Sequence, residues 1–277
     1  MFAARKILAR FARRLHSLTY LLVLAALINA PLCSQWSTDP SNNLIVAYGL
    51  LPELCSDSAG GAYVTYEVPT TYPRHLELRR LDRYGYQPWG SSRTIEGVWP
   101  EGRLASIASD GNNGVLIAYQ DRLLVYPVPS IYASRVRVQR VDSLGNLLWG
   151  ASGVRVSLDE HTQSEGWKPA IVPDGQGGCI VAWVDTANKL TIQRINVGGE
   201  RMWGDSGVVV AALGSVYTPL MIPDGQEGCI LVYDGPTMQR MDSFGNKLWG
   251  DGVLLNGIAV SDIVADDRGG ALVTGMM

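Results

Sequence analysis

Apolar and polar residues alternate in short runs along most of the chain, and these runs return as repeats. The stretch 138–150, VQRVDSLGNLLWG, has counterparts at 78–90, 191–204 and 238–250. In each copy an alternating segment leads into a turn that carries Asp or Asn and Gly, and Trp-Gly follows. Alternation with a period of two is typical of strands that bury one face. The pattern therefore predicts a chain of β-hairpins.

A second motif, an Asp-Gly turn rich in glycine, lies between two apolar runs of the same repeats. It begins at Asp110, Asp174 and Asp224, with looser copies at Asp57 and Asp266. Residues that tolerate a positive φ between two apolar runs indicate a tight hairpin turn. The Trp of the first motif recurs every 46 to 60 residues with no helical pattern between copies. Such a period is typical of a propeller or a similar radial array.

Each repeat contains four strand-sized segments, as one blade of a propeller does. We therefore predict an all-β chain that forms a β-propeller of about five four-stranded antiparallel blades. The four whole units cover approximately residues 50–97, 98–157, 158–212 and 213–258. The fifth unit combines residues 259–277 with residues 35–49, so that the N- and C-terminal segments would close the ring. The pattern supplies no third strand for this shared blade, which leaves ring closure open.

The repeat resembles a known family at its turn. Asp-x-x-Gly-x-x-x-Trp occurs at 82–89, 142–149 and 242–249, with Asn196–Trp203 as a variant. This is similar to the tryptophan-docking repeat of quinoprotein-like β-propellers, although those usually place Thr before the Gly. The combined motifs also resemble secreted bacterial propeller-repeat proteins of unassigned function. The resemblance implies the fold; the vicinal cysteines and roughly eight repeats of quinone-dependent dehydrogenases are missing from the sequence.

The first 34 residues differ from the rest of the chain. Five basic residues precede the apolar run Leu18–Ile28, and no acidic residue comes before Asp39. This arrangement is typical of a secretory signal peptide, which would leave residues 35–277 as a single propeller domain. A spanning helix needs about 20 apolar residues, more than this run offers; an uncleaved anchor is the alternative. We expect a bacterial protein that is secreted or held in the cell envelope, without stable membrane insertion after processing.

Charge restricts the partners of the processed chain. Without residues 1–34, 18 basic and 26 acidic groups remain, which gives a net charge of −8. An acidic domain without a basic cluster is not expected to bind nucleic acid or an anionic membrane. Cys55, Cys179 and Cys229 also remain, and we interpret them as small buried apolar residues.

Candidate binding residues lie in the connections that differ between repeats. The short turns that carry Asp and Gly should gather at one face of the propeller, and the variable connections should gather at the other, where binding residues tend to lie. Aromatic rings near carboxylates suit a carbohydrate or protein ligand. The candidates are Trp99, Trp167, Tyr217, Tyr72, Tyr126, Tyr132 and His161.

Signals of catalysis are few. The processed chain has two histidines, in different repeats, so no metal site is predicted. No nucleophile elbow or phosphate-binding loop occurs, and no cofactor is predicted. We therefore predict a non-catalytic binding or surface-interaction module. One alternative is a glycoside-acting enzyme with Glu53 and Asp262 as paired carboxylates at the propeller channel; another is a structural scaffold of an envelope complex.

Overall fold

The computed structural model describes residues 36, 39, 41–69, 73–127, 130–158, 167–214, 218–266 and 268–276. These residues contain eighteen β-strands and no α-helix, and none of them lies in a helix long and apolar enough to cross a membrane. The predicted signal peptide lies outside the described residues. Residues 44–277 form one unit. In the other, residues 1–43, the Asp39 carboxylate accepts a hydrogen bond from the Ser41 amide at 2.9 Å.

The strands form four four-stranded antiparallel sheets in a propeller arrangement, together with one two-stranded sheet. The first sheet consists of β1 (Leu50–Ser56), β2 (Ala62–Glu67), β3 (Leu76–Leu81) and β4 (Arg93–Ile95). The second consists of β5 (Glu101–Ser109), β6 (Val115–Pro127), β7 (Ser130–Val141) and β8 (Val154–Arg155).

The third and fourth sheets repeat this order. The third consists of β9 (Ala170–Pro173), β10 (Cys179–Val184), β11 (Lys189–Ile195) and β12 (Val208–Ala212). The fourth consists of β13 (Leu220–Pro223), β14 (Cys229–Tyr233), β15 (Thr237–Met241) and β16 (Val253–Leu254). The last sheet pairs only β17 (Ala259–Ala265) with β18 (Ala271–Met276). Along the series, the first strand of each sheet contacts the first strand of the next.

The predicted all-β propeller of antiparallel four-stranded blades is confirmed, but the count of about five blades is wrong. Four sheets have four strands, and the last repeat forms a hairpin with no third strand among the described residues. The N-terminal residues 43–49 form no strand. Leu44, Val46 and Ala47 instead pack on the flank of the first sheet, against apolar side chains of β2 and β3. The segment thus covers that sheet without joining β18.

Tryptophan joins each of the first three sheets to the next. Trp149 follows β7, and its indole N–H donates a hydrogen bond of 3.0 Å to the Val197 carbonyl in the turn after β11. Its ring lies against Gly199 of that turn, where an added Cβ would come 3.2 Å from Cδ1 of Trp149. Gly199 has a φ of +86°, which is permissive for glycine. The same contact joins Trp89 to Gly145 and Trp203 to Gly245.

The burial of the motif tryptophans follows this docking. Trp149 and Trp203 are 8% and 9% exposed, as predicted. Trp89 and Trp249 are half-buried. Trp249 belongs to the fourth sheet, and among the described residues the last sheet has no turn after a third strand to receive its ring. Cys179 and Cys229 are fully buried as expected, whereas Cys55 is only partly buried.

An arginine holds the Asp-Gly turn within each complete sheet. In the third sheet, one oxygen of Asp174 accepts the amide N–H groups of Gln176 and Gly178 at 2.9 and 2.8 Å. The other oxygen accepts Nε of Arg194, on β11, at 3.0 Å. Each complete sheet forms this ion pair, as Arg80–Asp57, Arg140–Asp110, Arg194–Asp174 and Arg240–Asp224. The turn and the third strand are thereby fastened together.

We expect Trp149→Ala to lower the free energy of unfolding by about 3–5 kcal/mol, because it opens a cavity between two sheets. Trp249→Ala removes a ring of the same size that no third-strand turn receives among the described residues, and should cost less. Urea denaturation of both variants measures the difference. Equal losses would contradict the proposed importance of the contact between sheets.

Substitutions at two glycines distinguish the cost of steric contact with Trp149 from the cost of an unfavourable backbone conformation. Gly199 and Gly204 both have positive φ, but a Cβ at Gly204 would meet nothing within 4 Å. Both substitutions to Ala carry the cost of the left-handed conformation, about 1–2 kcal/mol. Gly199→Ala also presses on Trp149, which should add about 1 kcal/mol or more. Thermal unfolding of the two variants compares these costs; a Gly204→Ala loss as large as that of Gly199→Ala would exclude the steric contribution.

Candidate functional site

The predicted aromatic residues that the structure describes lie at one end of the sheets. Trp99 lies two residues before the second sheet's first strand, β5, and Trp167 lies three residues before β9 in the third. The Asp-Gly turns follow the opposite ends of the same strands. Trp99 and Trp167 therefore occupy the end where the connections differ, but they line two separate clefts.

The first cleft has a volume of about 520 Å³ and is formed by three sheets. Trp167 contributes from the start of the third sheet. The fourth sheet adds residues at the start of β13 and at the turn between β14 and β15, and β17 supplies the last wall. The lining residues are Trp167, Thr218, Leu220, Val232, Tyr233, Asp234, Gly235, Ala259, Val260 and Ser261. The cleft thus combines two aromatic residues, one carboxylate and two hydroxyl groups with apolar walls.

The backbone around Trp167 is held by side chains from the first two sheets. The buried Gln120 amide donates to the Trp167 carbonyl at 2.9 Å. Ser106 donates to the Pro169 carbonyl at 2.5 Å, and Lys168 donates to the Glu53 carboxylate at 2.7 Å. Because three consecutive residues are anchored, the position of Trp167 is set before any ligand arrives. Its side chain remains half-buried.

Tyr233 and Asp234 form the wall contributed by the turn between β14 and β15. Asp234 has a φ of +51°, a conformation that Asp tolerates better than most residues. Its carboxylate accepts the Gly214 amide at 3.2 Å. Burial raises the pKa of Tyr233, and the nearby carboxylates of Asp234 and Asp251 raise it further. The phenol therefore keeps its proton and can donate a hydrogen bond near neutral pH.

The second cleft, of about 430 Å³, surrounds Trp99 and also includes His75 and Glu96. The Arg135 guanidinium carbon lies 3.3 Å from the centre of the Trp99 ring, so the protein's own cation covers one face of that ring. The amides of Val98 and Trp99 donate to the fully buried Asp121 at 3.2 and 2.9 Å. Burial raises the pKa of Asp121 despite these bonds. Trp99 is thus packed within the structure.

The remaining predicted site residues fall outside what the structure describes. Tyr72, His161 and Tyr217 lie outside the described residues. Tyr126 and Tyr132 lie on β6 and β7, and their side chains are outside the described part of the structure. Sequence analysis missed Tyr233 and Asp234. Their signal was an Asp-Gly pair at the connection between the second and third strands, at the variable end of the fourth sheet.

The two carboxylates considered as a catalytic pair have different surroundings. Glu53, on β1, forms its ion pair with Lys168, and both side chains are 34% exposed. Asp262 is exposed on β17, and its carboxylate accepts the Ile263 amide at 2.8 Å. The structure thus places a cation on Glu53 that the sequence pattern did not indicate. Among the described residues, no group of three or more His, Cys, Asp or Glu side chains is placed to hold a metal ion.

Comparisons with known proteins give similar structures only. No family model matches the chain, and no curated protein matches it. One similar structure is named as a candidate exo-beta-1,3-galactanase from Bifidobacterium bifidum S17, at 12% identity and a TM-score of 0.47 over 87% of this chain and 86% of that one. Another is an alpha-L-arabinofuranosidase from Lactobacillus brevis, at 11% identity and a TM-score of 0.39 over 81% and 71%. A third is the SapL1 lectin with alpha methyl fucoside, at 16% identity and a TM-score of 0.33 over 79% and 85%.

These comparisons correct one prediction. Two of the three proteins are named as enzymes, so the prediction that the chain is not an enzyme is withdrawn. The identities and TM-scores are too low for any of the three names to be transferred to this chain. No family match supports the resemblance to quinoprotein-like propellers. The chemistry of the clefts therefore carries the functional argument.

We expect Trp99 and Arg135 to stabilise the fold as a pair. Trp99→Ala and Arg135→Ala should each lower the free energy of unfolding. The double variant should lose about 0.5–1 kcal/mol less than the sum, because each single change already removes the cation–π contact. Chemical denaturation of the four proteins measures this coupling. Strict additivity would mean that the stacking has no energetic role.

Proposed function

We propose that the chain binds a carbohydrate in the cleft formed by the third, fourth and last sheets. One observation carries this proposal: Trp167 and Tyr233 line the same cleft as the Asp234 carboxylate and the Thr218 and Ser261 hydroxyls. A sugar ring combines apolar C–H faces with a rim of hydroxyl groups. The cleft offers a counterpart to each part of such a ligand.

The apolar side of the cleft suits stacking. Aromatic residues contribute large apolar surfaces together with a polar group at the edge, and Trp167 is half-exposed beside Leu220 and Val232. Trp167 is also held by its anchored backbone, so that little conformational entropy is lost when a ligand binds. Trp99 is less suited to stacking with a ligand, since Arg135 covers one face of its ring.

The polar side of the cleft suits hydroxyl groups. A carboxylate accepts stronger hydrogen bonds than a neutral group does, and Asp234 brings such an acceptor to the lining of the cleft. The Thr218 hydroxyl adds a donor and an acceptor, and the Ser261 hydroxyl, which donates to the Thr274 carbonyl at 3.3 Å, can still accept a hydrogen bond. The volume of about 520 Å³ lies within the range of roughly 300–1,000 Å³ typical of small-ligand sites. This favours a sugar over a protein partner as the occupant.

Binding should be lost when either side of the cleft is removed. Using a panel of neutral oligosaccharides and isothermal titration calorimetry, we expect Trp167→Ala to weaken binding of the best ligand by about 30-fold, since an anchor residue contributes roughly 2 kcal/mol. Asp234→Asn should weaken it about tenfold, as a charged acceptor becomes neutral. Release of reducing ends, recorded on the same panel, shows whether the bound sugar is also cleaved.

Trp99→Ala is the matched control, because it removes the same side chain from the other cleft. It should leave sugar affinity unchanged while lowering stability. The unfolding midpoint of Trp167→Ala should stay close to that of the parent protein. Equal loss of affinity in both tryptophan variants, or no binding by the parent protein, would refute the proposed site.

A further inference from the structure

The sequence contains two Asn-Gly pairs, and the structure places them in different surroundings. Asn113-Gly114 ends the Asp-Gly turn of the second sheet, and Asn256-Gly257 lies between β16 and β17. In an Asn-Gly pair the backbone nitrogen of glycine readily attacks the asparagine side chain, because glycine has no Cβ to hinder the approach. In a folded protein, the attack also requires that this nitrogen and the asparagine side chain are free to move.

Buried groups hold the first pair. Gly114 is buried, and its N–H donates to the Asp110 carboxylate at 2.7 Å. Asp110 is itself fixed by its ion pair with Arg140. The Asn113 carbonyl accepts the Tyr63 hydroxyl at 2.5 Å. The Gly114 nitrogen is therefore not available for attack until this part of the turn opens.

The second pair lies in an exposed turn. Asn256 and Gly257 are both exposed, and the Ile258 amide donates to the Leu255 carbonyl at 3.3 Å. Gly257 has a φ of +79°, as at the third position of a type II turn. In the described part of the chain, neither the Gly257 amide nor the Asn256 side chain forms a hydrogen bond. Both reacting groups are thus exposed to solvent and unrestrained by such bonds.

The segments on either side of this turn are anchored. The Leu255 amide donates to the Pro236 carbonyl at 2.9 Å. Leu255 and Val260 pack on the apolar cluster that contains Ile263. β17 begins at Ala259, directly after the turn. A change in backbone length at position 256 therefore has to be absorbed by the few residues up to the start of β17.

We propose that Asn256 is a site of spontaneous deamidation, and that the isoaspartate formed there displaces the start of β17. The Gly257 nitrogen loses its proton and bonds to Cγ of Asn256, and the side-chain amide leaves as ammonia. Water then opens the succinimide ring at either carbonyl, which gives aspartate or isoaspartate with no change in oxidation state. In isoaspartate the main chain runs through Cβ and is longer. The proposal holds whether or not the neighbouring cleft binds a sugar.

Hydroxylamine compares the two pairs directly, because it cleaves a chain where a succinimide forms. The full chain is treated in native buffer and in concentrated guanidinium chloride, and the fragments are identified by mass spectrometry. In the folded protein we expect cleavage after Asn256 to be at least about tenfold faster than cleavage after Asn113, where the turn must open first. In denaturant the two rates should become similar.

Ageing of the folded protein tests the modification and its consequence. After incubation at mildly alkaline pH, the peptide that contains residue 256 should carry isoaspartate, identified by fragmentation in the mass spectrometer. Hydrogen exchange of the amides of residues 259–261 should be several-fold faster than in fresh protein, since the start of β17 is displaced.

Two variants serve as matched controls. Asn256→Gln keeps the amide, but its longer side chain does not form the five-membered ring, so the aged variant should exchange at the original rate. Asn256→Asp, measured fresh, adds the charge without lengthening the main chain, and it should also exchange like the fresh parent protein.

Four results would overturn the proposal. They are similar native cleavage rates at the two pairs, an absence of isoaspartate at position 256 after ageing, and equal changes in exchange in the aged parent protein and the aged Asn256→Gln variant. The fourth is exchange in fresh Asn256→Asp as fast as in the aged parent protein, which would assign the effect to charge rather than to backbone length.

Discussion

The contact of the Trp89, Trp149 and Trp203 rings with a glycine of the following sheet sets the spacing on which the rest of the structure depends. The ring needs a surface with no side chain, and the turn needs a residue that adopts positive φ; one glycine meets both requirements. The indole N–H then binds a carbonyl of the same turn, which fixes the sheets in rotation as well as distance. Apolar layers such as that of Leu116, Val138 and Val181 fill the space between sheets.

The two ends of the sheets are under different constraints. At the end of the sheets that carries the Asp-Gly turns, every complete sheet has the same arrangement of a carboxylate, two backbone amides and an arginine. The same contacts therefore hold the turn in all four complete sheets. At the other end the connections between strands share no such arrangement, and they differ from sheet to sheet. The two clefts that contain the predicted tryptophans lie there. The two tryptophans differ in their surroundings: Trp167 lines a cleft formed by three sheets, whereas Arg135 covers one face of the Trp99 ring.

The last hairpin forms one wall of the proposed binding cleft. β17 lines the cleft through Ala259, Val260 and Ser261, and the same strand pairs with β18. The cleft therefore depends on the hairpin's position against the fourth sheet, where Ile263 and Val273 pack with Ile230 and Val232.

The sequence by itself determined the strands, the turns and the repeat, because these depend on local alternation and on the φ preferences of glycine and aspartate. It also placed Trp167 at the variable end of a sheet. Only the tertiary structure decided the number of complete blades, because closure depends on whether β18 meets a third strand, a contact between distant segments. It likewise decided that Arg135 covers Trp99, that Lys168 binds Glu53, and that Tyr233 and Asp234 share a cleft with Trp167. Each of these contacts joins residues from different sheets or distant loops, whose distance the alternation along one strand does not encode.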